Sequence, residues 1–315
     1  FYNKIYKTLK ENMTNINYHF NVVYGDTDSI MVSMNLCDKT TGQRIKGLDM
    51  RQKYINMGDL GSMIVKEFLP PPENLEYEKI LTPFLILSKK RYVGNLYEFN
   101  PNKYFQKNMG IVLKRRDNAQ IVKYVVGGIV DRLINTPDLE KGKRDALVFT
   151  NQCLRDIIDG KFNINSFVIT KSLKPKDEYS NWKQIAHAVL AERMAKRDPG
   201  NAPAPNDRIP FVYIVCDENA VKLQGDRIET PQYIQEHKIP IDYKFYIEHQ
   251  LEVPCLQFLD LFNKVEAHKI FKHAYEYFNR KQVGLSNGTQ SLMSFMKIDK
   301  QQTKNNNSSS FSLKM

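Results

Sequence analysis

Two short β-rich runs, His19-Phe20-Asn21-Val22-Val23-Tyr24 and Ile30-Met31-Val32-Ser33-Met34, are separated only by Gly25-Asp26-Thr27-Asp28-Ser29. So short a connection folds the second strand back on the first as a hairpin. It also fixes two acidic side chains at the bend. In an extended segment, residues i and i+2 share a side. Asp26 and Asp28 are therefore expected on one face, with Thr27 pointing away and Gly25 permitting a tight turn. Two carboxylates held this close repel unless a cation lies between them. Oxygen-only donors suit a hard ion such as magnesium. The same residue types also build ordinary solvated turns. What favours a site is the setting, between apolar strands and directly after a Tyr.

Downstream, residues 48–69 read as a helix that ends where Pro70, Pro71 and Pro72 remove the donors needed to continue it. Leu75-Glu76-Tyr77-Glu78-Lys79-Ile80, Phe84-Leu85-Ile86-Leu87 and Arg91-Tyr92-Val93-Gly94 read as strands. After about residue 105 the pattern turns mainly helical. Val122, Val125, Val126, Ile129 and Leu133 mark one helical face. Leu147, Leu154, Ile157 and Ile158 suggest a second helix, and Ile185, Ala188, Val189 and Met194 a third. Residues 211–216 read as a buried strand, and a last helix begins near Asp242, a suitable N-cap, and runs to Phe262 or beyond. There is no internal repeat. Gln301-Gln302-Thr303-Lys304 and the Asn and Ser that follow cannot bury enough apolar surface to order themselves.

Composition narrows the function classes. With 315 residues, 42% of them hydrophobic, the chain can bury one or two sizeable cores. No apolar run approaches the ~20 residues that span a bilayer, so no membrane partner is expected. Phe1 to Lys10 lack the features of a signal peptide and read as the middle of a longer polypeptide. Cys37, Cys153, Cys216 and Cys255 are too dispersed for a zinc site or a disulfide framework, which points to a reduced, intracellular protein. The net charge of +11 suits a polyanionic partner, although basic proteins without one are common.

Two basic clusters give that charge a place. Lys89-Lys90-Arg91-Tyr92 reads as a compact basic run on a strand, ending in an aromatic; it follows the apolar stretch of residues 84–87, so its stems should be partly buried and its charged heads pre-positioned. Such heads reach phosphates, or the minor-groove acceptors that A·T and T·A pairs share. Contact with that edge tests pairing geometry without reading sequence. Lys114-Arg115-Arg116-Asp117 lies just before a helix and could add phosphate contacts. Glu76 and Glu78 alternate on their expected strand. By composition they fit an exposed edge, and a functional role requires Glu78 to approach the aspartates in the fold.

Tyr24-Gly25-Asp26-Thr27-Asp28-Ser29 resembles the motif C signature of family B DNA polymerases. Leu75-Glu76-Tyr77-Glu78-Lys79 and Lys89-Lys90-Arg91-Tyr92-Val93-Gly94 resemble the palm strands that follow it, and Lys114-Arg115-Arg116-Asp117-Asn118 the start of the thumb. Leu190-Ala191-Glu192-Arg193-Met194, Lys196-Arg197-Asp198-Pro199-Gly200 and Ile239-Pro240-Ile241-Asp242-Tyr243 are similar to thumb segments of the delta-type branch. The matches are collinear over roughly residues 20–262. The resemblance implies an α+β fold: an antiparallel palm sheet carrying the motif C hairpin (residues 1–105), a mainly helical thumb (106–283) and a disordered tail (284–315).

It also implies two-metal phosphoryl transfer with Mg²⁺. Asp28 would be the principal ligand and Asp26 the supporting one, with Glu78 nearby helping to bind a further ion. Lys90 would contact the primer–template minor groove, framed by Lys89, Arg91 and Tyr92. The dNTP is the second substrate. The family's other essential aspartate, its nucleotide-binding lysine and its proofreading exonuclease lie upstream of motif C, so the chain is expected to need a missing N-terminal polymerase portion and to be inactive alone. A non-catalytic DNA-binding module is the alternative. An unrelated metal-dependent nuclease would explain the aspartates but not the later matches. Without the cysteine-rich modules of cellular delta-type enzymes, and rich in Asn and Lys, the chain resembles polymerases of large DNA viruses, which act in the host nucleus or at cytoplasmic replication sites. Finally, Thr289-Gln290-Ser291-Leu292-Met293-Ser294-Phe295-Met296 resembles a sliding-clamp peptide, with Leu292, Phe295 and Met296 filling its apolar positions.

Overall fold

The computed structural model describes residue 7 and residues 14–45, 48–114, 116–216 and 223–282. The tail and its clamp-like peptide lie outside the described residues, as does Arg115.

Strands β1 (Ile16–Asp26) and β2 (Ser29–Asp38) form the expected antiparallel hairpin. Its register pairs Tyr18 with Leu36, Phe20 with Met34 and Val22 with Val32, so these six side chains share one face. Asn17, His19 and Asn21 lie opposite Cys37, Asn35 and Ser33 on the other, largely polar face. A bulge between Val22 and Tyr24 inserts one extra residue in β1. One extra residue reverses the alternation. Tyr24 and Asp26, opposite Met31 and Ser29, thereby move to the polar face, and Gly25 and Ile30 take the apolar one.

Helix α1 (Leu48–Lys66) stops shortly before the Pro70-Pro71-Pro72 run. Met50 and Tyr54 of α1 close one end of the hairpin's apolar face, burying Ile16 and Leu36 in a small separate core. Strands β3 (Ile80–Ser88), β4 (Arg91–Tyr97) and β5 (Phe105–Met109) make a second antiparallel sheet with β4 in the middle. Two expectations are corrected here. Glu76 and Glu78 precede β3 in irregular backbone and are not on a strand. Lys89 and Lys90 form the turn between β3 and β4, with Lys90 at φ 61°; only Arg91 and Tyr92 of the basic run are on a strand.

The main core is built on α2 (Gln120–Asn135), whose Ile121, Val122, Val125, Val126, Ile129 and Leu133 recur at helical spacing and are buried. Each such aliphatic side chain contributes about 1.5–3 kcal/mol on burial. Helix α3 (Leu139–Ile158) packs beside α2, its first turn capped by the Asp138 carboxylate, which accepts from the Glu140 and Lys141 N–H groups. Beyond it come β6 (Ile169–Ser172), α4 (Ala186–Arg197), β7 (Arg208–Tyr213) and β8 (Ile228–Glu229), the strands forming a third antiparallel sheet in sequence order. The strand expected over 211–216 thus starts earlier and ends at Tyr213. Thr230 caps a short helix, α5 (Pro231–His237).

The last helix starts where the sequence suggested: the Asp242 carboxylate accepts from the Phe245 N–H at 2.9 Å. One turn, α6 (Tyr243–Phe245), passes into a π-helical turn (Tyr246–Leu251) and then into α7 (Glu252–Gln282), interrupted by extended backbone at Asn263. Buried Phe258, Leu259, Ile270 and Phe271 of α7 join the same core as α2, and that core continues into the second sheet through Val93. The whole is a mixed fold of antiparallel sheets and helices ending in a long helix. Among the described residues, no helix is long and apolar enough to cross a membrane.

Candidate active site

The tips of the first two hairpins meet. Tyr24, re-aimed by the bulge, accepts the Lys90 backbone N–H at 2.8 Å through its hydroxyl oxygen. That hydroxyl donates in turn to Asp26 Oδ2 at 3.3 Å. The Lys90 ammonium reaches the other oxygen, Asp26 Oδ1, at 3.2 Å. The Thr27 hydroxyl donates to the same oxygen at 3.3 Å, so Thr27 does not point away as its spacing implied. The expected side-by-side strand geometry is also not what forms. Asp26 ends β1, whereas Thr27 and Asp28 make the turn, and it is Thr27 (φ 53°), not Gly25, that takes the left-handed conformation.

These contacts fix the charge on Asp26. The Lys90 side-chain hydrogen bond, followed by its Coulombic attraction and the Thr27 and Tyr24 hydroxyls, outweighs desolvation and holds the carboxyl below its ordinary range. Asp28, one turn residue away, is exposed and has no hydrogen bond or ion pair among the described residues. A partnered carboxylate thus stands beside an uncommitted one.

The supports are built from the second sheet. The Tyr92 ring is only 8% exposed and lies edge-on to Tyr24 and against Phe84, with centroids at 6.3 and 5.6 Å. Burial pushes the Tyr92 hydroxyl up; Lys79 pulls it down, and Tyr24, Glu78 and Asp26 raise it further. Glu78 and Asp26 therefore act on one phenol, although Glu78 is itself exposed and pairs with Lys79. Arg91 donates to the Gly110 carbonyl and to the Gln257 side chain on α7, tying β4 to the last helix. Gly110, at φ 62°, lets β5 end against the basic turn: a Cβ there would lie 2.3 Å from the Lys90 carbonyl oxygen. Lys89 and Lys90 are left exposed at the turn.

Of the second basic cluster, Lys114 ends a short 3₁₀ turn (Val112–Lys114) and Arg116 is exposed; Asp117 lies 3.9 Å from Lys171. The structure thus brings together Asp26, Asp28 and the Lys89–Lys90 turn, with Glu78 at their margin. Gly110 and Gln257 were not singled out from sequence, and Tyr24 was noted only as the residue before the turn, not for these contacts.

Among the described residues, no group of three or more His, Cys, Asp or Glu side chains converges to hold a metal. Magnesium is commonly held by one or two carboxylates, the remaining positions going to waters and substrate phosphates. Asp28 offers oxygen donors of that type without a partner among the described residues, whereas both Asp26 oxygens already accept from Lys90, Thr27 and Tyr24, so Asp26 serves a metal only by exchanging one of these donors.

Residues 1–261 match the profile of DNA polymerase family B. The chain belongs to the family B DNA polymerases. It is 49% identical to a DNA polymerase of Pyramimonas orientalis virus over 246 residues, 78% of this chain and 20% of that protein. Against a DNA polymerase of Acanthamoeba polyphaga mimivirus the figures are 41% over 286 residues, 89% and 16%. The DNA polymerase delta catalytic subunit of Schizosaccharomyces pombe is 36% identical over 243 residues, 76% of this chain and 20% of that one. The chain therefore spans about a fifth of the length of these relatives. In the solved structure of the family B polymerase from Pyrobaculum calidifontis, 29% of that chain overlays 82% of this one with a TM-score of 0.50 at 18% identity, a likeness of fold. The acidic turn lies within the residues matched to the family.

Proposed function

We propose that this chain contributes the motif C part of the active site to a DNA-directed DNA polymerase, which transfers a nucleotide from a dNTP to a primer 3′-hydroxyl under template direction. The observation that carries this reading is the exposed acidic turn, in which the Asp26 carboxylate is oriented by Lys90 and two hydroxyls beside an uncommitted Asp28. Residues 1–105 serve as the end of the palm and 106–283 as the thumb that grips the product duplex. Asp28 would be the principal magnesium ligand and Asp26 the supporting one, with Glu78 available to a further ion. When bound, two magnesium ions neutralise charge on the primer 3′-oxygen and on the transferring phosphate.

The protein's own residues do the rest. Tyr24 and Thr27 orient Asp26. Lys90, exposed at its turn, reaches the minor groove of the primer–template, with Lys89 beside it and Arg91 and Tyr92 holding the turn in place. Lys114, Arg115 and Arg116 add backbone contacts. The remaining catalytic groups come from the upstream portion of the polymerase, so the chain assayed alone should incorporate nothing. Its place of action is the host nucleus or a cytoplasmic viral replication site.

In the complete polymerase, Asp28→Ala should abolish nucleotide incorporation while primer–template affinity stays within about twofold, a change below 0.5 kcal/mol. Incorporation at the parent rate would remove the assignment and leave a DNA-binding module. The clamp peptide is a second element of the proposal, carried by sequence. A peptide of residues 284–300 should bind a sliding clamp, and Phe295→Ala should weaken it about tenfold or more; equal affinities would end that idea.

A further inference from the structure

Helix α7 is two arms and not one rod. Glu252 and Tyr275 stand 23 positions apart, which is about 35 Å along a straight helix, yet the Tyr275 hydroxyl donates to the Glu252 carboxylate. His268 Nε2 and Asp260 Oδ2, 8 positions apart, lie 3.3 Å from each other. Both contacts require the chain to double back at Asn263, where φ is −157° and ψ 79°. The Asn263 side-chain oxygen accepts from the Glu266 N–H at 3.1 Å and caps the second arm. That arm is fastened at its far end. The Lys281 ammonium donates to the Ile158 carbonyl at 3.0 Å and to Asp159 Oδ1 at 2.9 Å, and the Tyr277 hydroxyl donates to the same Oδ1 at 2.9 Å. Its Ala267, Ile270, Phe271 and Ala274 are buried in the main core. The second arm lies beyond residues 1–261, the span matched to the family.

The first arm, braced in this way, carries Gln257. Its side-chain oxygen accepts from Arg91 Nη2, 166 positions away. Arg91 Nε donates to the Gly110 carbonyl at 3.3 Å. A guanidinium is a planar fork, so two acceptors on different elements fix its plane where one would leave it free to rotate. Arg91 directly follows the Lys89–Lys90 turn and opens β4. Holding it therefore holds the turn, with the Lys90 N–H on Tyr24 and the Lys90 ammonium on Asp26. We propose that Gln257 is a positioning residue for the basic turn: carried by the two-armed α7, it anchors Arg91 and so sets where the Lys90 ammonium stands. The inference rests on the polymerase reading for what Lys90 touches, the minor groove of the primer–template.

Two measurements test it. In the 315-residue chain without DNA, the Lys90 amide reports on the turn, because its N–H is bonded to Tyr24. Gln257→Leu should speed hydrogen exchange at that amide about tenfold. The paired amides of β6 and β7 should keep their parent rates, which separates a loosened turn from a loosened fold. Gln257→Glu keeps an acceptor for Arg91 and should restore slow exchange. In the complete polymerase, Gln257→Leu should weaken primer–template affinity about threefold. Combined with Lys90→Ala, it should bind within about twofold of Lys90→Ala alone, because Gln257 acts through Lys90. Parent-like exchange at Lys90 in Gln257→Leu would overturn the proposal. So would equal effects of the Leu and Glu substitutions, affinity losses that multiply, or exchange that speeds in β6 and β7 as much as at Lys90. If the Lys90 amide responds as expected but neither Gln257→Leu nor Lys90→Ala changes affinity, the groove contact fails and the positioning role stands.

Discussion

At the scale of single residues, the decisive contact is the Lys90 ammonium on Asp26 Oδ1, 3.2 Å away across 64 positions of sequence. An ion pair this exposed contributes little to stability. Its effect is electrostatic: a cation beside the carboxylate orients it and lowers its pKa below the ordinary value. Replacing Lys90 by Met removes both the hydrogen bond and the charge that depress the Asp26 pKa, so that pKa should rise toward its ordinary value. A ¹³C carboxyl titration of parent and variant measures this directly, and an unchanged midpoint would show that Lys90 is not the cause. The sign of the linkage follows. A carboxyl with a depressed folded-state pKa contributes stability above its unfolded pKa, 3.8 for Asp26, and loses it as pH falls through the lower folded value. The parent's acid limb should therefore lie at lower pH than the variant's, both below the neutral range in which a polymerase works.

Elements decide where those residues stand. The Lys89–Lys90 turn is held from beneath by Gly110, and that support is testable. Ala at position 110 must adopt φ 62° and place its Cβ 2.3 Å from a backbone carbonyl that has no flexible end to yield. The left-handed conformation alone costs a non-glycine residue about 1–2 kcal/mol. Gly110→Ala should thus lower the denaturant midpoint and, by moving the Lys90 turn, weaken primer–template binding as well. Gly61→Ala in α1 is the control: nothing lies within 4 Å of its Cβ, and it should be neutral or slightly stabilising. Parent-like stability and binding in Gly110→Ala would show that the turn does not lean on this glycine. The same elements show what could be read from the chain. The β1–β2 hairpin, the end of α1 before three prolines and the Asp242 cap are local patterns, and each forms where the residues indicated. The Lys-Lys turn was misread as strand because it contains no Gly, Pro, Asn or Asp. The aspartates were assigned to one strand face because a bulge and a left-handed Thr27 leave no periodic mark. The meeting of Tyr24, Asp26 and Lys90 is tertiary, and no spacing along the chain encodes it.

For the molecule as a whole, the excess of positive charge raises the question of what each basic group does on DNA. Neutralising a phosphate releases condensed counterions, so each such contact adds about 0.9 to the magnitude of the slope of log affinity against log salt. A contact to a base edge in the minor groove strengthens binding without releasing a phosphate's counterion. The two basic clusters should therefore separate by salt. Arg116, exposed in the loop before α2, is assigned to the phosphate backbone, so Arg116→Ala should flatten the slope by about 0.9. Lys90, held at its turn by Tyr24 and Asp26, is assigned to the groove. Lys90→Ala should lower affinity at every salt concentration while leaving the slope near the parent's. Fluorescence-anisotropy titrations of primer–template by the complete polymerase at four or more salt concentrations, about 50 to 200 mM, measure both effects. Equal flattening by the two substitutions would place Lys90 on the backbone and remove its proposed minor-groove contact. An unchanged slope with Arg116→Ala would mean that its charge lies away from the bound duplex.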